Sequence, residues 1–317
     1  MNGELNKTID FYNVLATVQC YQRESENSAS REENQKNQGG MAMRIAVLLE
    51  NDKVKGRDEL LSAHGLSFYM ESMGRKMLFD FGPDERFLEN ARIMNIPIEE
   101  VDLAFLSHGH LDHAGGIPAF LRVNSKAPIY AHPKFIEKHF SRQENAAMKD
   151  ISTPEEVMGN SRFILVEGVT RIDEHLTLIS QIFGAEMMPP GNETLYKKEG
   201  EEYLRDDFRH EHNLLLEEEG KLYLIIGCGH RGVMNLVETV RKMKGRYPDH
   251  VIGGFHIKKP SKIHPDETYV PRLGEMLKET GIRYHTCHCT GQKMFRKLQE
   301  TMGAQVSYLV TGEDVLL

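Results

Sequence analysis

LSHGHLDHAGG, residues 106–116, places three histidines and one aspartate within six positions, directly behind the apolar run VDLAFLS at 101–107. His108, His110, Asp112 and His113 follow the pattern H-x-H-x-D-H. With 15 histidines in 317 residues, a chance match in such a chain has a frequency on the order of 10⁻³. A strand that runs into a loop turns alternate residues the same way, so His108 and His110 can face one ion while Asp112 and His113 turn toward a second. Gly109, Gly115 and Gly116 relieve the crowding of such a loop. A surface histidine cluster would explain neither the aspartate, nor the glycines, nor the strand in front.

Outward from this loop the chain alternates β-type apolar runs with helical patterns. RIAVLLEN, GLSFYMES and RKMLFDFG predict strands, DERFLENARIMN a helix, VDLAFLS a buried strand, GIPAFLRV a short helix and APIYAH a strand. The second half repeats the style. SRFILVEG and LTLIS predict strands, NLLLEEEGKLYLIIG a hairpin turning at Glu219-Gly220, and GVMNLVETVRKM a helix. HVIGGFHI, RYHTCHC and VSYLVTG predict further strands, with helices at TYVPRLGEMLKETG, closed by Gly281, and QKMFRKLQETMG. Residues 181–208 are Pro/Gly-rich, charged and aperiodic, the character of a lid or binding loop. Residues 22–40, QRESENSASREENQKNQGG, cannot bury enough apolar surface to order themselves, so 1–42 is expected to be a flexible polar extension and 43–317 a single domain.

Composition narrows the function classes. A net charge of -8, with both signs interspersed, gives a nucleic-acid backbone no electrostatic hold. Four cysteines, at 20, 228, 287 and 289, do not form a secreted disulfide framework and point to a reducing cytoplasm. No run approaches the roughly 18 to 20 apolar residues of a membrane span, and the first residues lack an export signal, so a soluble protein without membrane partners is expected.

SHGHLDHAGG, preceded by MLFDFGPD, resembles the first metal motif of the metallo-β-lactamase superfamily. FRHEHNLLLEEEGKLYLIIGCGHRGVMNLV, HVIGGFHI and YHTCHCTGQKMF resemble one branch of it, labelled dihydropteroate-synthase-like or methanopterin ribofuranosylaminobenzene-phosphate-synthase-like. The likeness spans about residues 43–317. It implies an α/β fold, a four-layer αββα sandwich of two mixed β-sheets, with one or two metals at one edge.

The resemblance also implies donors from the second half: a third histidine, a bridging aspartate at a strand end, and a final histidine. Cys228 stands where that aspartate is expected, either as a thiolate ligand or as a small buried turn residue. His230, opening the next helix, is expected to be a ligand, and His288 in CHCTG is the candidate for the last. Cys287 and Cys289 would point to the opposite face of an extended strand and belong to the core. His256 is either a substrate contact or a ligand, with Lys258 and Lys259 beside it. Asp207 and His210 are rival fillers of the third-histidine position, and His210 with Glu211 could support ligands or move protons. Asp80, with Phe81 and Gly82, is expected to support the site by hydrogen bonding a ligand's outer nitrogen or the loop backbone.

Such donors suit zinc, two ions, with iron or manganese as alternatives. The expected activity is a hydrolase in which a metal-activated hydroxide, oriented by Asp112, attacks a small anionic ester, phosphoester, lactone or amide. His230 or His256 would steady developing charge, and Arg231 with Lys258 and Lys259 would clamp a phosphate or carboxylate. Three alternatives stand beside it: a pterin-linked synthase, a di-iron redox protein, and a binding protein that has lost activity. His110 stands where the superfamily's di-iron members carry glutamate. A nuclease would be expected to carry a basic insertion, whereas 181–208 holds Glu186, Glu193, Glu199, Glu201 and Glu202. A homodimer is a further expectation.

Overall fold

The computed structural model describes residues 43–258 and 266–317. The expected flexible extension 1–42 and Lys259 lie outside the described residues. The first half lays down β1 (Arg44–Leu49), β2 (Ser67–Ser72), β3 (Arg75–Phe79), β4 (Leu103–Phe105) and β5 (Ile129–Ala131), with α1 (Arg86–Ile93), α2 (Leu111–Ala114) and α3 (Ile117–Val123) between them. Next come β6 (His139–Arg142), β7 (Met148–Asp150), β8 (Phe163–Leu165), β9 (Val169–Arg171), β10 (Leu176–Ile179), β11 (Leu195–Glu199) and β12 (Glu202–Arg205). The rest follows as β13 (Asn213–Glu218), β14 (Lys221–Ile225), α4 (Val233–Lys244), β15 (His250–Gly253), α5 (Asp266–Glu279), β16 (Arg283–Thr286), α6 (Gln292–Met302), β17 (Val306–Tyr308) and β18 (Asp314–Leu316).

Two seven-stranded sheets result, ordered β18-β1-β2-β3-β4-β5-β8 and β17-β16-β15-β14-β13-β10-β9. Each is antiparallel at one end and parallel at the other: β3, β4, β5 and β8 run parallel in the first, and β14 to β17 in the second. The period of two along each strand builds the layers. Ile45 and Val47 join Leu214, Leu216, Tyr223 and Ile225 in a core between the sheets. Their neighbours Ala46 and Leu48 face outward onto Phe87 of α1 and Phe120 of α3. Leu222 and Leu224 likewise face outward onto Val237, Val240, Leu273 and Leu298 of the second helical layer. Val233, Leu236, Val237 and Val240 recur at the helical spacing that gives α4 one apolar face. The architecture is thus a four-layer αββα sandwich of two mixed sheets.

The hairpin β13–β14 turns at Glu219 and Gly220, both at positive φ (51° and 75°), the conformation a two-residue hairpin turn requires. The stretch 181–208, expected to be an irregular lid, instead contains β11 and β12. They pair with β6 and β7 into a four-stranded antiparallel sheet, β12-β11-β6-β7, outside the sandwich. Its strand sequences, HFSR, MKD, LYKKE and EYLR, are polar and largely exposed, so no apolar alternation announces them. Among the described residues, no helix is long and apolar enough to cross a membrane.

Candidate metal centre

The histidine motif leaves the C-terminal end of β4, in the parallel part of its sheet. Its glycines are sterically required: a Cβ on Gly109 would stand 2.3 Å from the Phe135 carbonyl oxygen, and one on Gly116 2.0 Å from that of Phe81. The second half supplies residues from the C-terminal ends of three adjacent parallel strands. Cys228 and His230 follow β14, His256 follows β15 and His288 follows β16. Asp80, His256 and His288 are held in left-handed backbone, with φ of 61°, 50° and 49°. Such strain in non-glycine residues persists only where the surroundings impose it.

Four imidazoles share one hydrogen-bonding logic. His108 Nδ1 is 2.8 Å from Ser107 Oγ, whose own proton goes to Asp80 Oδ2. His113 Nδ1 is 2.6 Å from Asp80 Oδ2. His230 Nδ1 is 3.0 Å from Asn192 Oδ1, and His288 Nδ1 is 2.9 Å from Asn51 Oδ1. Each asparagine also donates its amide N–H to the backbone carbonyl of the histidine it grips, at 2.8 Å for His230 and 3.0 Å for His288. Assigned from these partners, all four rings carry a proton on Nδ1 and aim Nε2 inward.

Those inward atoms form two groups. His108 Nε2 and His230 Nε2 stand 3.3 Å apart, and with His110 their ligand atoms lie within 4.8 Å of one another. His288 Nε2 is 3.3 Å and His113 Nε2 3.7 Å from Asp112 Oδ2. Cys228 Sγ lies between the groups, 3.2 Å from His113 Nε2 and within 4.8 Å of donor atoms on His108, His230 and His288.

The electrostatics suit a cation. Burial, reinforced by neighbouring rings, pushes His108 and His230 far below the ordinary histidine range, so both are neutral and two lone pairs face each other across 3.3 Å. A tetrahedral zinc with bonds of about 2.0–2.1 Å would hold two nitrogens about 3.3–3.4 Å apart. Asp112 is ionised although burial opposes it, because His113, His288 and His64 hold its carboxyl well below the usual range. Burial works against charge on His113 too, but Asp80 and Asp112 outweigh it and raise its pKa to about 9. Burial pushes the Cys228 thiol up.

A cavity of about 350 Å³ opens onto this rim, lined by His110, Asp112, Cys228, His256 and His288 among others. Lys149 and Lys258 also line it, and among the described residues Asp112 is the one carboxylate in its wall. Two expected substrate or catalytic residues are placed elsewhere. Arg231 does not line the cavity: its guanidinium turns to the carbonyls of Asp207 and Ile182 and its backbone N–H to Glu211. His210 is buried beside His110 and also does not line it. Asp207 pairs with Lys197 at 3.0 Å, and the carboxylate near the motif is Asp206. Asn51, Asn192, His64, His139 and Asp206 carry no sequence signal of their own. His64, whose Nε2 is 3.3 Å from Asp112 Oδ2, precedes the motif by more than forty residues.

The family model of the metallo-beta-lactamase superfamily matches residues 63–241, and the chain belongs to that superfamily. Within it, the chain is 28% identical over 270 residues to 7,8-dihydropterin-6-methyl-4-(beta-D-ribofuranosyl)-aminobenzene-5'-phosphate synthase of Methanocaldococcus jannaschii, across 80% of this chain and 90% of that protein. An uncharacterised protein of the same organism is 28% identical over 264 residues, 81% of this chain and 94% of its own length. A solved structure described as a metal-dependent hydrolase of the beta-lactamase superfamily superposes with a TM-score of 0.72 at 25% identity, covering 87% of this chain and 99% of its own. The metallo-beta-lactamase fold protein YhfI from Bacillus subtilis shares the fold at a TM-score of 0.51 and 13% identity, with 87% and 99% covered.

Proposed function

We propose that the chain is a metal-dependent hydrolase that holds two divalent ions, zinc before iron or manganese, and cleaves a small anionic ester, phosphoester, lactone or amide. The observation that carries this reading is the approach of His108 Nε2 to His230 Nε2 at 3.3 Å, in two rings whose partners assign the proton of each to Nδ1 and whose burial disfavours a second proton. His108, His110 and His230 would hold one ion, and Asp112, His113 and His288 the other, with Cys228 placed to reach both. When bound, such a pair supplies Lewis acidity and a water-derived nucleophile at neutral pH. Asp112, ionised and facing the cavity, is positioned to accept a proton and orient the nucleophile. His256, at the wall beside His230, is positioned to donate to developing negative charge. Lys258 and Lys149 would hold the anionic end of the substrate, whose size the 350 Å³ cavity limits.

One observation favours a second reading: the relative whose printed name is a synthase matches over 80% of this chain. The same donors would serve a synthase through Lewis acidity alone. The di-iron redox reading has no comparable support, since among the described residues Asp112 is the one carboxylate that lines the cavity. The deciding experiment is elemental analysis of the purified protein, followed by assays of phosphodiesters, thioesters and lactones with wild type and His110→Ala. Two zinc equivalents, with metal and turnover lost together in the variant, support the hydrolase. Turnover retained without metal overturns it, iron with oxygen uptake replaces it by the redox reading, and two equivalents with no hydrolysis of any class move the synthase to the front.

A further inference from the structure

A second buried assembly adjoins the first donor group. His139, which opens β6, Asp206, which follows β12, and His210 are buried, and none of them lines the cavity. Together with His110 they bring four ligand-type atoms within 4.8 Å of one another. Asp206 Oδ2 is 2.8 Å from His139 Nδ1, 3.4 Å from His210 Nε2 and 3.8 Å from His110 Nε2. The His139 and His210 rings stack with centroids 4.0 Å apart.

Proton placement distinguishes a hydrogen-bonded hub from an ion site. The backbone N–H of Gly109 donates to His210 Nδ1 at 2.9 Å, so that nitrogen is bare and the neutral ring carries its proton on Nε2, facing Asp206. A cation at the hub would need lone pairs, whereas this ring offers an N–H. His110 Nε2 is buried without a hydrogen-bond partner, and the carboxylate it faces is Asp206, 3.8 Å away.

We infer that Asp206 is a positioning residue for the first ion: hydrogen-bonded to His139 and facing the Nε2 edges of His110 and His210, it favours the His110 tautomer that offers its other nitrogen, Nδ1, beside His108 and His230. The inference rests on the two-ion reading above. It also ties the small sheet to the metal loop, because β6 begins at His139 while Ser141 and Gln143, just beyond, and Lys149 of β7 line the cavity. The carboxylate that orients a ligand therefore also anchors the wall against which substrate would rest.

Asp206→Asn in the full chain is the test, because it keeps the shape but turns one acceptor oxygen into a donor facing N–H groups. In zinc titrations against a competing chelator, the first ion's dissociation constant should rise about 10- to 100-fold, the range for losing a residue that orients a histidine ligand, while the second ion is unchanged. The visible spectrum of the cobalt-loaded protein should change for the first ion alone. If Asp206→Asn does not fold, His139→Gln, which keeps the carboxylate and removes one ring, should weaken the first ion several-fold. Wild-type affinity for both ions in whichever variant folds, even with a lowered Tm, overturns the inference and leaves Asp206 structural. A third zinc equivalent present in wild type and lost in Asp206→Asn overturns it in favour of an ion ligand. A wild type that binds no zinc at all defeats the two-ion reading instead, and with it the premise of the inference.

Discussion

The two donor groups share one rim but differ in charge. His108, His110 and His230 offer three neutral rings, and the carboxylate of Asp206, 3.8 Å from His110 Nε2, stands behind them rather than among them. Asp112, His113 and His288 include an ionised carboxylate in their midst, Cys228 Sγ touches His113, and Asp80 sits behind that same ring. On the two-ion reading, the first group would attract a dication with lone pairs and oriented dipoles, whereas the second carries the charge of Asp112. The contrast teaches that the second ion should depend on charge and pH, and the first on how rigidly its rings are held.

Removing the charge should have the largest effect. Asp112→Asn takes away the carboxylate that His288, His113 and His64 all approach. The expected outcome is loss of one metal equivalent, the second, and a fall in turnover of about 10²–10⁴, the range for a positioned proton acceptor. Metal content by elemental analysis together with kcat measures both. A variant that keeps two equivalents and loses only turnover would show that Asp112 acts on protons without holding an ion, and the contrast between the groups would fail.

The pH dependence sharpens the same contrast. His113, with its pKa raised to about 9, is protonated at neutral pH when no ion is bound. A raised histidine pKa stabilises the empty fold fully below about 6.5 and loses that contribution as pH rises through about 9. An ion at the second group must displace this proton, so its affinity should rise about tenfold per pH unit up to pH 9 and then level off. If the Cys228 thiol, pushed up by burial, also ionises to bind, two protons leave and the slope becomes about a hundredfold per unit. Calorimetry in buffers of different ionisation enthalpy counts these protons. Cys228→Ser should return the count to one, and a count of one in wild type would make Cys228 a buried neighbour instead of a ligand.

What could be seen in the sequence divides along similar lines. The first motif was readable because a strand end and its loop place four donors in six consecutive positions, so spacing alone carries geometry. The strands and helices of the sandwich were readable because Ile45 against Ala46, or Tyr223 against Leu224, sort to opposite faces at a period of two. His230 and His288 were reached only through the resemblance, since nothing local distinguishes them from other histidines at strand ends. Asn51, Asn192, His139 and Asp206 were invisible. Each acts through a partner brought close by the tertiary fold, 237 positions away for Asn51 and His288 and 67 for His139 and Asp206. Arg231, expected to clamp an anion, has its backbone N–H on Glu211 and its guanidinium turned to two carbonyls, a placement that its position beside His230 in the sequence does not reveal.

The two asparagines offer the gentlest perturbation of the comparison, because each serves one group. Asn192 grips His230 and Asn51 grips His288, both by the ring nitrogen and by the residue's own carbonyl. Asn192→Ala should free the His230 ring to adopt the other tautomer and to rotate, weakening the first ion about 10- to 100-fold. Asn51→Ala should cost the second ion toward the lower end of that range, because Asp112 still attracts the cation and Glu50 still accepts the His288 backbone N–H at 2.6 Å. The unequal response of matched clamps is the measurable signature of unequal charge. Equal losses at both groups, by chelator competition at one pH, would mean that ring orientation and not the carboxylate governs affinity throughout the site.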